Sequence, residues 1–133
     1  MLYLQCAVAA IIPMIVGFLW YGPMLFQNAW MKSLNFTEKD IQGGNMPAIF
    51  GIAYVMAFIM SFFISYIVRH DPETLSQFVH GLMHGAMLGV MMAMPVLVSN
   101  SLFERKSTKN ILINVGYWIV TIALMGGLLG AWR

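Results

Sequence analysis

The stretch from Thr74 to Phe103 reads TLSQFVHGLMHGAMLGVMMAMPVLVSNSLF, 30 residues without one Asp, Glu, Lys or Arg. A helix needs about 20 consecutive apolar residues to cross the hydrocarbon core of a bilayer. This run is long enough, with residues left over for its ends. Its glycines recur at every fourth position, Gly81, Gly85 and Gly89, and Ala93 continues the row. A spacing of four puts them on one helix face. Rows of small residues are what let helix backbones approach closely in lipid. Met83, Met87, Met91 and Met94 run beside the row, and Pro95 lacks the N–H that would bond the Met91 carbonyl.

Three further runs lack charge: 1–31, 41–68 and 110–132, of 31, 28 and 23 residues. Hydrophobic residues make up 60% of the chain and charged residues 9%, and the mean hydropathy is +0.78. A soluble domain averages about 45–50% apolar and about 25% charged. A soluble enzyme, a DNA-binding module and a large extramembrane domain are therefore excluded. A membrane barrel is excluded too, because its strands alternate apolar and polar residues. The expectation is an all-α membrane protein. A single domain over 1–133 would hold four transmembrane helices in a small bundle, with spans near 2–21, 47–68, 77–99 and 111–132. The charged residues sit at segment ends, so the net charge of +2 reflects topology and leaves no nucleic-acid footprint. Cys6 is the single cysteine. It cannot form an internal disulfide, and it reads as a small core or lipid-facing residue. The N-terminal run lacks a basic start and ends in Trp20-Tyr21 instead of a small-residue cleavage site. It is expected to be a retained first helix.

Each span carries local signals. Pro13 lies in the middle of the first and frees the Ala9 carbonyl, which predicts a kink. Trp20 and Tyr21 mark an interface, and Pro23 closes the helix. The segment from Pro23 to Lys32 is too short to cross. It is aromatic and ends in a cation, so it predicts a short amphipathic helix in the interface plane between helices 1 and 2, with Trp30 as an anchor. Thr37 to Asp40 has the form of a capping box, and Gly43-Gly44 ends that turn. Asn45 predicts an N-cap, with Pro47 near the first helical position. In the second span Ala53, Ala57, Ser61 and Ser65 make a small row. Phe50, Tyr54, Phe58, Phe62 and Tyr66 make an aromatic one, for packing or lipid contact. Arg69 to Glu73 is a polar loop, and Asn100 to Lys109 is another. The fourth span presents Asn114, Tyr117 and Thr121 on one face. Its end, with Gly126, Gly127 and Gly130, is expected to be small and flexible, and Trp132 anchors it at the interface.

Lys and Arg counts in short loops set orientation. Loops one and three hold Lys32, Lys39, Arg105, Lys106 and Lys109, against Arg69 and Arg133 on the opposite side. Loops one and three are expected in the cytoplasm and both termini outside.

Candidate chemistry is sparse. His80 and His84 are four apart and share a helix face. Such a pair can ligate a metal or haem iron, and Met83, Met87 and Met91 would add soft ligands suited to Cu(I). No carboxylate or thiol stands near them in sequence. The preferred reading is hydrogen bonding to neighbouring helices; a proton or polar-substrate path and a metal or haem site are the alternatives. Asn114, Tyr117 and Thr121 suit interhelical hydrogen bonds better than a pore lining. Ser61 and Ser65 can bond their own helix carbonyls. No nucleophile–base pair, phosphate-binding loop or dinucleotide-binding glycine pattern is present.

Gly17-Phe18-Leu19-Trp20-Tyr21-Gly22-Pro23, then Phe26, Ala29-Trp30-Met31, Leu34 and Thr37-Glu38, form one signature. Asn100-Ser101-Leu102-Phe103-Glu104, then Leu112-Ile113-Asn114 and Gly116-Tyr117-Trp118, with the ending Leu129-Gly130-Ala131-Trp132, form a second. In these the chain resembles, over nearly its whole length, the bacterial membrane proteins grouped as domain of unknown function 1761. The resemblance implies a small four-helix integral membrane protein with no established activity and no catalytic residues to carry over. The combined expectation is a non-enzymatic homo-oligomer of the bacterial cytoplasmic membrane, with a channel or carrier role along the polar seam open to it. Its partners would be the lipid bilayer and further copies of itself, with no cofactor. The three small rows, Ala53-Ala57-Ser61, Gly81-Gly85-Gly89 and Gly126-Gly130, exceed what one compact bundle needs, so the surplus row would pack against a second copy. The alternative is a redox protein holding metal or haem through His80 and His84.

Overall fold

A computed structural model describes residues 1–37, 45–69 and 77–132. The capping-box residues Glu38 to Asp40, Gly43-Gly44, the loop residues 70–76 after Arg69, and Arg133 lie outside the described residues. Every regular element among the described residues is helical. In chain order these are α1 (Leu2–Ala9), α2 (Ile12–Trp20), α3 (Gln27–Leu34), α4 (Met46–Arg69), α5 (Gln77–Leu88), a π-helical turn (Gly89–Ala93), α6 (Met94–Phe103) and α7 (Thr108–Ala131). Four stretches are long and apolar enough to cross a membrane: Leu2–Trp20, Pro47–Val68, Gln77–Phe103 and Thr108–Ala131.

The prolines shape two of the four. The first span breaks between α1 and α2 at Ala10 and Ile11, just before Pro13. There the ladder tightens: Ile11 N–H bonds the Val8 carbonyl and Met14 N–H the Ile11 carbonyl, both at 3.0 Å. Pro95 acts in the opposite sense. Its ring crowds the carbonyl four residues back and offers no donor, and the turn before it widens. Met94 N–H bonds the Gly89 carbonyl, five residues back, as a π-helical turn requires. The third helix then continues to Phe103, four residues beyond the expected end at Ser99.

Caps place the other ends. Asn45 Oδ1 accepts the Ala48 N–H at 3.4 Å and starts α4, as its sequence predicts. α7 begins at Thr108, not Ile111, because Ser107 Oγ accepts the Asn110 N–H at 3.2 Å. The short helix after the first span starts at Gln27 rather than Pro23. It ends where Asn35 turns left-handed at φ 56°. The N–H of Phe36 then reaches back to the Met31 carbonyl at 2.9 Å. This is the helix-ending pattern that Asn tolerates better than other non-glycine residues. Arg105 turns the chain the same way at φ 59° after α6. No sequence signal marks that residue.

α7 is the axis of the molecule and touches every other helix. Half of its apolar stretch is buried, against 22% and 17% for the second and third spans. The core on its flank joins Ala9, Ile64, Val68, Ile122, Met125 and Leu129. The glycine rows explain how α5 comes so close. A carbon added at Gly81 would overlap the Gly126 carbonyl oxygen, and one at Gly126 would overlap that of Gly81. A carbon at Gly85 would stand 2.8 Å from Ala123 Cα, and one at Gly89 2.9 Å from Ile119 Cα. Gly130 lies against Gln77 and Gly81, and Gly127 against the Phe78 ring. The end of α7 is thus packed, where the sequence suggested a flexible one.

The small row of α4 packs on the first span. Cys6, Ala9 and Ala10 are fully buried, facing Ala57, Ser61 and Ser65. Ser61 Oγ donates to the Cys6 carbonyl at 2.9 Å, and the Cys6 thiol lies 3.9 Å from Ser65 Oγ. Tyr54, from the aromatic row, donates to the Ala7 carbonyl at 2.8 Å. Ala53, expected in the small row, is exposed. Apart from Ala53, the three rows therefore pack inside one chain, α5 on α7 and α4 on α1.

Candidate functional site

The polar side chains gather where the end of α2, the length of α3 and the first turns of α7 meet. α7 presents Asn110, Asn114, Tyr117 and Thr121 at spacings of three and four, which line up on one face. Tyr21 donates its hydroxyl to Asn114 Oδ1 at 2.6 Å. Asn114 Nδ2 donates to Asn110 Oδ1 at 3.1 Å. Asn110 Nδ2 donates to Ser33 Oγ at 3.0 Å. Ser33 Oγ donates to the Trp30 carbonyl at 2.6 Å. The chain runs in one direction, crosses three helical segments and ends on a backbone carbonyl. Asn110 is fully buried.

Beside this chain Tyr117 donates to the Pro13 carbonyl at 2.7 Å. Trp20 Nε1 donates to the Ile113 carbonyl at 3.0 Å. Aromatic rings close the site: Trp20 and Phe26 centroids are 4.8 Å apart, Tyr21 and Tyr117 5.2 Å, Tyr21 and Trp30 5.3 Å. Such spacings are those of favourable ring pairs. Gly116 allows the fit, because an added carbon there would stand 2.9 Å from the Trp20 ring. Thr121 Oγ1, one turn beyond Tyr117, is fully buried and makes no hydrogen bond among the described residues.

Of the residues predicted from sequence, Asn114 and Tyr117 enter the site, and Thr121 extends its face. Trp20, Tyr21 and Trp30, expected as interface anchors, are half-buried and make ring contacts or hydrogen bonds within it. Trp132 stands at the far end of α7, where its carbonyl accepts from Gln5 Nε2. His80 and His84 lie elsewhere, on α5, half-buried, their ring centroids 4.4 Å apart. Among the described residues no group of three or more His, Cys, Asp or Glu gathers to hold a metal. Sequence reasoning missed Asn110, Ser33 and Gln5. Asn110 was open to discovery by running the Asn114 row back one turn; nothing flags Ser33 or Gln5, whose partners are remote in the chain.

The two stretches that carry the sequence resemblance meet here: Gly17, Trp20, Tyr21, Phe26 and Trp30 from one, Asn114, Gly116 and Tyr117 from the other. The fold and this site define a multi-pass, all-helical membrane protein packed around its fourth span. The chain belongs to the family described as Protein of unknown function (DUF1761), whose profile matches residues 4–130. No curated protein and no solved structure matches it.

Proposed function

We propose that the protein is a non-enzymatic component of a bacterial cytoplasmic membrane, whose polar face locks its helices together and whose copies associate. The observation that supports this is the closed chain from Tyr21 to the Trp30 carbonyl. A pore or carrier path along this face would need side chains turned to an open lumen. These side chains instead bond one another and the backbone, each contact of a kind worth about 0.6–2 kcal/mol between membrane helices. Association would run through the second and third spans, whose outer faces flank an apolar groove of about 420 Å³ lined by Met60, Phe63, Leu88, Met92 and Trp118. In lipid nanodiscs, native mass spectrometry should give a defined multiple of the chain mass; a single copy per disc at every loading would overturn association.

In this reading α3 lies in the interface plane, with loops one and three in the cytoplasm. The buried Cys6 gives a silent background for cysteine labelling. An impermeant thiol reagent applied to spheroplasts should modify Thr74→Cys and spare Ser107→Cys. The reverse pattern would invert the topology.

The histidine pair serves packing in the same reading. Gln keeps a donor and an acceptor at similar reach but substitutes poorly for an imidazole ligand. The His80→Gln, His84→Gln double variant should insert and assemble as the parent does. Elemental analysis finding copper, iron or zinc in the parent, lost in the double variant, would replace this reading with a metal or haem protein.

A further inference from the structure

α3 and the first turn of α7 border an open surface hollow of about 850 Å³ lined by Leu25, Asn28, Met31, Lys32, Asn35 and Phe36 of the α3 region and by Lys109 of α7. The Ser33–Asn110 bond holds the two helices together at 3.0 Å. Their sequence neighbours, Lys32 and Lys109, line the same space. Among the described residues the one ion pair is Lys106 with Glu104, at 3.1 Å, and neither hollow lysine takes part in it. By sequence, loops one and three carry five cations against three carboxylates.

We propose that this hollow binds the phosphate of an anionic phospholipid headgroup from the adjoining leaflet. Three features of the lining favour that occupant. Two lysines from different helices line it, as in basic pockets between membrane helices that take lipid headgroups. The carboxamides of Asn28 and Asn35 supply neutral donors for phosphate or glycerol oxygens. Leu25, Met31 and Phe36 give the apolar side that a lipid has and a free anion lacks. The inference rests on the membrane reading and is independent of self-association.

The test uses the full chain purified in mild detergent, with equimolar short-chain phosphatidylglycerol and phosphatidylcholine, read by native mass spectrometry. The parent should retain phosphatidylglycerol in preference. The Lys32→Gln, Lys109→Gln variant should lose that preference by about tenfold or more, the scale for two cations leaving an anionic phosphate. Lys32→Arg, Lys109→Arg should restore it, which separates lost charge from lost folding. Lys106→Gln, outside the hollow, should retain it. Equal retention by the parent and the double Gln variant would overturn the proposal. So would an equal loss in Lys106→Gln, which would indicate general surface charge. Displacement of the lipid by millimolar inorganic phosphate would also overturn it, by showing a free-anion site.

Discussion

Gly85→Leu is expected to abolish the folded bundle, while Met92→Leu leaves it intact. At Gly85 the first side-chain carbon would already overlap the Ile122 carbonyl oxygen and come within 2.8 Å of Ala123 Cα. Overpacking a filled core costs about 1–3 kcal/mol where neighbouring side chains can yield. Here the atoms met are backbone on a helix that itself touches every other helix. α5 can only move away from α7 as a unit, losing the contacts at Gly81 and Gly89 with it, so the cost lies at the top of that range or beyond. Met92, in the π-helical turn of the same span, is exposed beside the apolar groove and meets no backbone at close range, and Leu conserves its volume. Detergent size-exclusion and thermal melting of the two variants should diverge. If both match the parent, the close α5–α7 approach is wrong. Gly85→Ala should already lower the melting midpoint, because a single methyl creates the overlap.

Asn110→Leu is expected to destabilise the protein by about 2 kcal/mol, from the 1–3 kcal/mol cost of a buried polar group left unpaired. The asparagine is fully buried and serves both neighbours in the chain, accepting from Asn114 and donating to Ser33. Leu is of similar size, so little of the loss comes from a cavity. Removing Asn110 strands the Asn114 amide and releases Ser33, and with it the attachment of α3. Ser33→Ala alone should cost less, since Asn110 keeps its bond from Asn114. Because Asn110 and Ser33 share one bond, the two substitutions combined should fall short of the sum of their separate effects. Denaturant unfolding in mild detergent, run as a double-mutant cycle, reads this. Strict additivity would show that the two side chains act independently and that the chain does not hold α3.

The spans were legible because the physics that selects them is one-dimensional. A charge inside a bilayer is expensive wherever it points, so the charge-free runs mark the helices without any knowledge of packing. The caps at Asn45 and Ser107 obey equally local rules, although the Ser107 cap was not singled out and α7 starts three residues early as a result. Pro13 and Pro95 could be read as disturbances. The form each disturbance takes, a tightened turn before one and a widened turn before the other, is visible only in the backbone hydrogen bonds of the folded chain.

The sequence by itself determined that this chain is a four-span helical membrane protein, that its glycines lie on helix faces, and that Asn114 and Tyr117 share one polar row. Only the tertiary structure decided which faces meet. A row of small residues carries the permission for close approach but no address for its partner, and the glycines of α5 found theirs on α7 within the same chain. Hydrogen bonds are likewise set by separations of a few ångströms between residues far apart in sequence, such as Ser33 with Asn110 and Tyr21 with Asn114. That is why the bonds of Trp20 to the Ile113 carbonyl and of Tyr21 to Asn114 could not be read from sequence: the depth of a residue in a membrane follows from its place along the helix, but the partner of its side chain follows from what the other helices offer it.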